Sequence, residues 1–183
     1  MKLSLLALLL VPSVWASPAA RVAPASPPKD LIMSDAFEYA LPAGWSRRPD
    51  AGGGVVLLGP ADDNDVSALI TLRHYPPGDA DFESFDAFVA RQSAPPVFKS
   101  SRPTERRPDR PVAGRTAKAF ARDASEFVPP SSRDTKEVPM REELVAVPAS
   151  KGFYLLTYYA PKSLARKNRR AFESVLKSFK PKL

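Results

Sequence analysis

Few side chains in this sequence stand at spacings that do chemistry. His74 is the one histidine, beside Tyr75 at the end of an alternating run. An imidazole there could act as a base or a ligand. A usual zinc site, however, needs about four N, S or O ligands, and the chain has no Cys. No triad partner is set by local spacing, so a structural or exposed histidine is expected. Asp62-Asp63-Asn64-Asp65 gathers three carboxylates in four residues and could attract calcium. It lacks the Gly and the distant Glu of an EF-hand loop, and Asp and Asn close tight turns readily, so a turn is expected. Ser174-Val175-Leu176-Lys177 matches Ser-x-x-Lys without its companion motifs, inside a segment patterned for core packing. Gly52-Gly53-Gly54 lacks phosphate-loop spacing and precedes a strand rather than a helix. No catalytic residue, metal ligand or cofactor motif rises above background.

Charge is the more informative signal. The 183 residues carry 27 Lys+Arg against 20 Asp+Glu, a formal net charge of +7. Between Lys162 and Lys182 there are eight basic residues and one acid, Glu173, so the whole excess sits in that stretch and the rest of the chain balances to zero. Arg166, Lys167, Arg169, Arg170 and Lys177 are the candidate surface for an anionic partner. Such a face raises the local concentration of anions and suits an acidic protein or an anionic lipid surface; the bland alternative is a solvated outer helix face. Nucleic acid ranks last, since aromatic residues do not interleave with the basic ones as in a base-stacking platform.

The elements that must carry these residues follow from composition and period. Lys2, the apolar run Leu3 to Val11 and Val14-Trp15-Ala16 have the build of a signal peptide spanning residues 1–16, cut after Ala16. Export to a bacterial periplasm or beyond is expected. No segment approaches the roughly 20 apolar residues of a membrane-spanning helix, and without Cys there are neither disulfides nor a lipid-anchored thiol. Residues 17–30, rich in Pro and Ala, are expected as a flexible linker, and 31–183 as a single domain. Two stretches within it, 94–111 with its basic series and five Pro, and 124–137 with Pro, Ser and charge, are expected as surface loops.

Elsewhere the period is mostly two. Strands are expected near Phe37–Leu41, Val55–Leu58, Val66–Tyr75, Thr116–Asp123, Val138–Val147 and Gly152–Tyr159. Short connections favour antiparallel pairing. Two segments turn helical. Asp81–Gln92 puts Phe82, Phe85, Phe88 and Val89 on one face with Asp81 and Glu83 in the first turn, and Lys162–Phe179 aligns Leu164, Ala171, Phe172, Val175, Leu176 and Phe179. The fold class is therefore α+β, a mainly antiparallel sheet of about six to seven strands covered by two helices. Trp45, placed after the Pro42-Ala43-Gly44 turn, is expected in the core.

Phe37-Glu38-Tyr39-Ala40-Leu41-Pro42-Ala43-Gly44-Trp45 resembles the opening strand and turn of the PsbP-like α+β sandwich superfamily. Phe82 to Val89, Gly152 to Tyr158 and Phe172 to Lys180 follow in the order of its first helix, late strand and final helix. The resemblance spans nearly the whole domain. It implies a PsbP-like sandwich among bacterial exported members of the DcrB and LpqN types, with a binding or accessory role and usually no catalysis. No functional residue set is shared across the superfamily. Three functions stay open: an exported non-enzymatic accessory or interaction module; a peripheral protein of an anionic envelope surface; and, ranked last, a hydrolase built on Ser, Asp and His74.

Overall fold

The computed structural model describes residues 31–50, 54–96, 102–130 and 134–183. The signal-peptide and linker expectations, and the Gly52-Gly53 tip, lie outside the described residues. The chain forms β1 (Leu31–Met33), β2 (Phe37–Ala40), β3 (Ser46–Pro49), β4 (Val55–Ala61) and β5 (Ser67–Tyr75), then α1 (Phe85–Ser93). It continues through β6 (Glu105–Val112), β7 (Arg115–Val128), β8 (Lys136–Pro148), β9 (Phe153–Pro161), α2 (Lys162–Ser178) and β10 (Lys180–Pro181). This is the expected α+β fold. A seven-stranded antiparallel sheet runs β3-β4-β5-β9-β8-β7-β6, and a second sheet of three strands runs β1-β2-β10.

The alternation of β9 sorts the molecule into layers. Tyr154, Leu156, Tyr158 and Ala160 point to one face of the large sheet, where Phe172, Val175 and Leu176 of α2 and Phe37 and Tyr39 of β2 close the main core. Phe172 stacks on Tyr158 with ring centroids 5.5 Å apart, and Phe179 lies 5.8 Å from Phe37 and 5.3 Å from Tyr154. Phe153 and Leu155 point the other way, toward a smaller cluster with Phe120, Leu144 and Phe88 of α1. Beyond it on that same face, Val66, Val138 and Met140 pack with Tyr159. Trp45 is buried as expected: antiparallel pairing of Ser46 with Leu58 brings it opposite Gly59, whose missing side chain makes room for the indole.

The structure corrects several expectations. The stretch 94–111 is not all loop, since Glu105–Val112 forms the edge strand β6 with a bulge between Arg107 and Arg110. Its charged, Pro-broken sequence suits an edge strand with almost every side chain in water, which is also the composition of a loop. The stretch 124–137 likewise shrinks to a hairpin tip, because β7 runs on to Val128 and β8 begins at Lys136. β2 belongs to the smaller sheet rather than the large one, because period two identifies a strand but not its partner. α1 starts at Phe85, capped by the Ser84 hydroxyl, which accepts from the Ala87 amide at 3.1 Å. Phe82, Asp81 and Glu83 therefore precede the helix; Phe82 is 36% exposed, and the first-turn acid is Asp86.

Candidate functional site

α2 forms because its apolar residues recur at helical spacing and bury one side. Its 17 residues begin at Lys162 without a side-chain cap, next to Pro161. Lys162 opposes the helix dipole there. It is held instead by Asp123, with Nζ donating to Oδ2 at 2.6 Å. On the buried side the Tyr158 hydroxyl donates to the Ala165 carbonyl at 2.9 Å, and at the far end the Ser178 hydroxyl accepts from the Ala40 amide at 3.0 Å. These bonds pin both halves of the helix to the core, so its outer side has a fixed direction.

All five residues of the candidate surface, Arg166, Lys167, Arg169, Arg170 and Lys177, are exposed. At about 100° per residue, Arg166, Arg170 and Lys177 fall within roughly 40° of one another, a line about 16 Å long, with Lys167 to one side. Arg169 lies on the other side and is the exception to the expected set. It reaches Glu143 at 3.0 Å and Glu173 at 3.7 Å, so its charge is already answered. Glu173 is held in turn by Arg110 of β6 at 2.5 Å, and Arg110 keeps its carboxyl below the usual carboxylate range. Arg166, Lys167, Arg170 and Lys177 have no ion pair among the described residues. The same is true of Lys180, exposed just beyond the helix, which sequence reading counted in the charge but left out of the surface.

This arrangement is no accident of a single element. Carboxylates on the large sheet are matched one by one: Asp123 to Arg141 and Lys162, Asp109 to Arg106 and Lys118, Glu142 to Arg122. Lys118 first and Arg106 second hold the Asp109 carboxyl below its ordinary range, as Lys162 and Arg141 do for Asp123. These pairs leave little net charge on the middle of the sheet, in contrast to α2.

The other sequence candidates are placed as follows. His74 stacks against Tyr154 at 4.6 Å, and its Nε2 lies 2.9 Å from the Lys151 carbonyl, a structural setting. Asp62 closes the β4–β5 turn: its carboxylate accepts from the Asn64 amide at 2.9 Å and the Val66 amide at 3.1 Å. Burial opposes ionisation of that group, yet these bonds and the Asn64 side chain keep it below the usual carboxylate range. Asp65, at φ 60°, completes the turn. Ser174 and Lys177 stand in the open on α2. Among the described residues no group of three His, Cys, Asp or Glu side chains converges as a metal site, and no helix is long and apolar enough to cross a membrane. A cavity of about 570 Å3 opens at the β6 bulge, rimmed by Arg107, Arg110 and Arg169, and its arginines already have carboxylate partners.

No protein-family profile and no curated protein matches the chain. Solved structures similar to it include a protein of Bacteroides thetaiotaomicron at 12% identity and a TM-score of 0.47, covering 80% of this chain and 45% of that one, so this chain spans less than half its length. LpqN of Mycobacterium tuberculosis, described as involved in cell envelope biogenesis, is similar at 16% identity and a TM-score of 0.45, covering 79% and 82% of the two chains. The PsbP protein of the cyanobacterium Synechocystis is similar at 11% identity and a TM-score of 0.44, covering 79% and 86%.

Proposed function

We propose that this chain is an exported, non-enzymatic accessory module that engages an anionic partner through the outer face of α2. The observation that carries the reading is the division of that helix: Phe172, Val175 and Leu176 are committed to the core, while Arg166, Lys167, Arg170 and Lys177 are exposed and unpaired. A helix needed only for packing gains nothing from four uncompensated cations on one side, which repel one another at low salt.

The alternative is a peripheral protein of an anionic envelope surface. It is favoured by the line of cations on an outer helix, whose one acid, Glu173 between Arg170 and Lys177, is held by Arg110 and Arg169. Since the apolar side of α2 is already buried, such binding would be electrostatic without insertion. At about 1 kcal/mol per basic residue near an anionic leaflet, four residues give about 4 kcal/mol, roughly a thousandfold in affinity.

Replacing Arg166, Lys167, Arg170 and Lys177 together by Gln tests both readings. The variant is expected to keep the wild-type melting midpoint while losing binding at low salt. Sedimentation with phosphatidylglycerol vesicles against phosphatidylcholine vesicles reads the lipid surface, and pull-down from a vesicle-free envelope extract reads an acidic protein. Undiminished binding in both assays across ionic strength would overturn the assignment of this face.

A further inference from the structure

The opposite face of the large sheet is partly open between the cluster under α1 and the cluster at the β4–β5 turn, and its charge is the reverse of that of α2. Three cavities of about 320, 410 and 240 Å3 lie on it in series. The first two share Arg122 and Glu142, and the last two share Tyr159, so they form one groove. The open part of its floor follows β9 from Leu155 to Tyr159, about 13 Å at 3.3 Å per residue, since Phe153 is buried under α1. α1 bounds one end. The β7–β8 hairpin bounds the other, because its pairing continues to Val128 and Lys136 while β9 pairs with β8 only from Met140 onward. That overhang bends toward the β4–β5 turn, with Val138 and Met140 against Val66, and Lys136 donating to the Asn64 side chain at 2.6 Å.

The groove's lining carries six carboxylates against three guanidinium groups, in a protein whose formal charge is +7. Four of the six carboxylates are answered, Glu142 by Arg122, Glu83 by Arg91, Asp81 by Arg73 and Asp123 by Arg141 and Lys162, while Arg102 is spent on Glu137 outside the lining. At the hairpin end Asp65 and Glu126 have no ion pair among the described residues. Tyr159 lies near Glu126 and Glu142; burial first, and these carboxylates second, push its hydroxyl up to about 12. Between the charged positions the floor is apolar or small, with the half-buried Leu155 and Thr157. We propose that this groove binds an extended, basic segment of a partner protein, its apolar side chains on the floor and its cations against the acidic rim. A strand-like segment of about five residues matches the length. The claim is independent of the α2 face.

A fluorescein-labelled eight-residue peptide of alternating Lys and Val, compared with its Glu-Val counterpart, probes the site on the full chain. The Lys peptide is expected to bind at least tenfold more tightly at low salt, with backbone amide shifts confined to residues 65–69, 122–128, 142–144 and 155–159. Thr157→Trp fills the half-buried middle of the groove and should weaken binding at least tenfold, whereas the four-Gln α2 variant should bind as wild type does. Should Thr157→Trp fail to fold, Glu126→Lys reverses the unpaired charge at the hairpin end and takes its place. Equal affinity for the two peptides, amide shifts elsewhere, or full binding by a folded groove variant would each overturn the proposal.

Discussion

Gly59→Ala tests the packing that fixes the first hairpin of the large sheet. A glycine inside a strand normally gains from Ala, because the unfolded chain loses freedom, by about 0.4 to 1 kcal/mol. Gly59 does not sit at a positive φ, so backbone strain does not interfere. A Cβ at this position, however, meets Trp45 at 2.6 Å from Cζ2, 2.7 Å from Cη2 and 2.8 Å from Cε2. These are atoms of a rigid ring that is only 9% exposed and cannot swing aside without leaving the core. Overpacking of this kind costs about 1 to 3 kcal/mol, which outweighs the entropic gain and leaves a net loss of about 1 to 2 kcal/mol. For a domain of this size that is a fall in Tm of about 3 to 6 °C. Circular dichroism melts of wild type, Gly59→Ala, Trp45→Phe and the double variant form the cycle. The smaller ring should relieve the clash, giving a favourable coupling of at least about 0.5 kcal/mol. A midpoint raised by Gly59→Ala, or an equal cost in both backgrounds, would refute the reasoning.

Two further outcomes follow from the core and the ion pairs. Phe172→Ala should cost about 3 to 5 kcal/mol in a urea melt, since the ring is fully buried and stacked on Tyr158; a loss under about 1 kcal/mol would mean that α2 is not anchored there. Asp123 and Glu173 have carboxyls lowered by Lys162 and Arg141 and by Arg110 respectively, so their contribution is complete above the unfolded carboxylate range near about 4 and is lost as pH falls through their lower folded values. The urea midpoint should therefore drop below about pH 4, with a shallower drop in Glu173→Gln, and a flat profile down to about pH 2.5 would contradict these pairings.

What the sequence makes legible follows from how each residue meets solvent. β5, β8 and β9 announce themselves because burial of one or both faces forces an apolar residue at every second position, as in Leu156, Tyr158 and Ala160. β3 and β6 do not, for Ser46–Pro49 is exposed throughout and Glu105–Val112 nearly so, leaving no apolar period to read. The basic face of α2 is visible as composition. The neutralisation of Arg169 is not, because Glu143 lies on β8, 26 residues away, and only the fold brings them together. The groove is hidden for the same reason, since Arg122, Glu142 and Tyr159 come from three strands whose order no local pattern states.

The large sheet separates two surfaces that differ in both charge and shape, and the separation follows from its construction. Carboxylates paired with arginine or lysine across β6, β7 and β8 cancel over most of the sheet. The α2 side carries the unpaired cations of a helix whose inner stripe is locked by Phe172 and Leu176. The opposite side carries Asp65 and Glu126, on the β4–β5 turn and near the β7–β8 hairpin tip. An anionic partner on α2 and a basic segment in the groove are therefore compatible, since the two would contact no common residue.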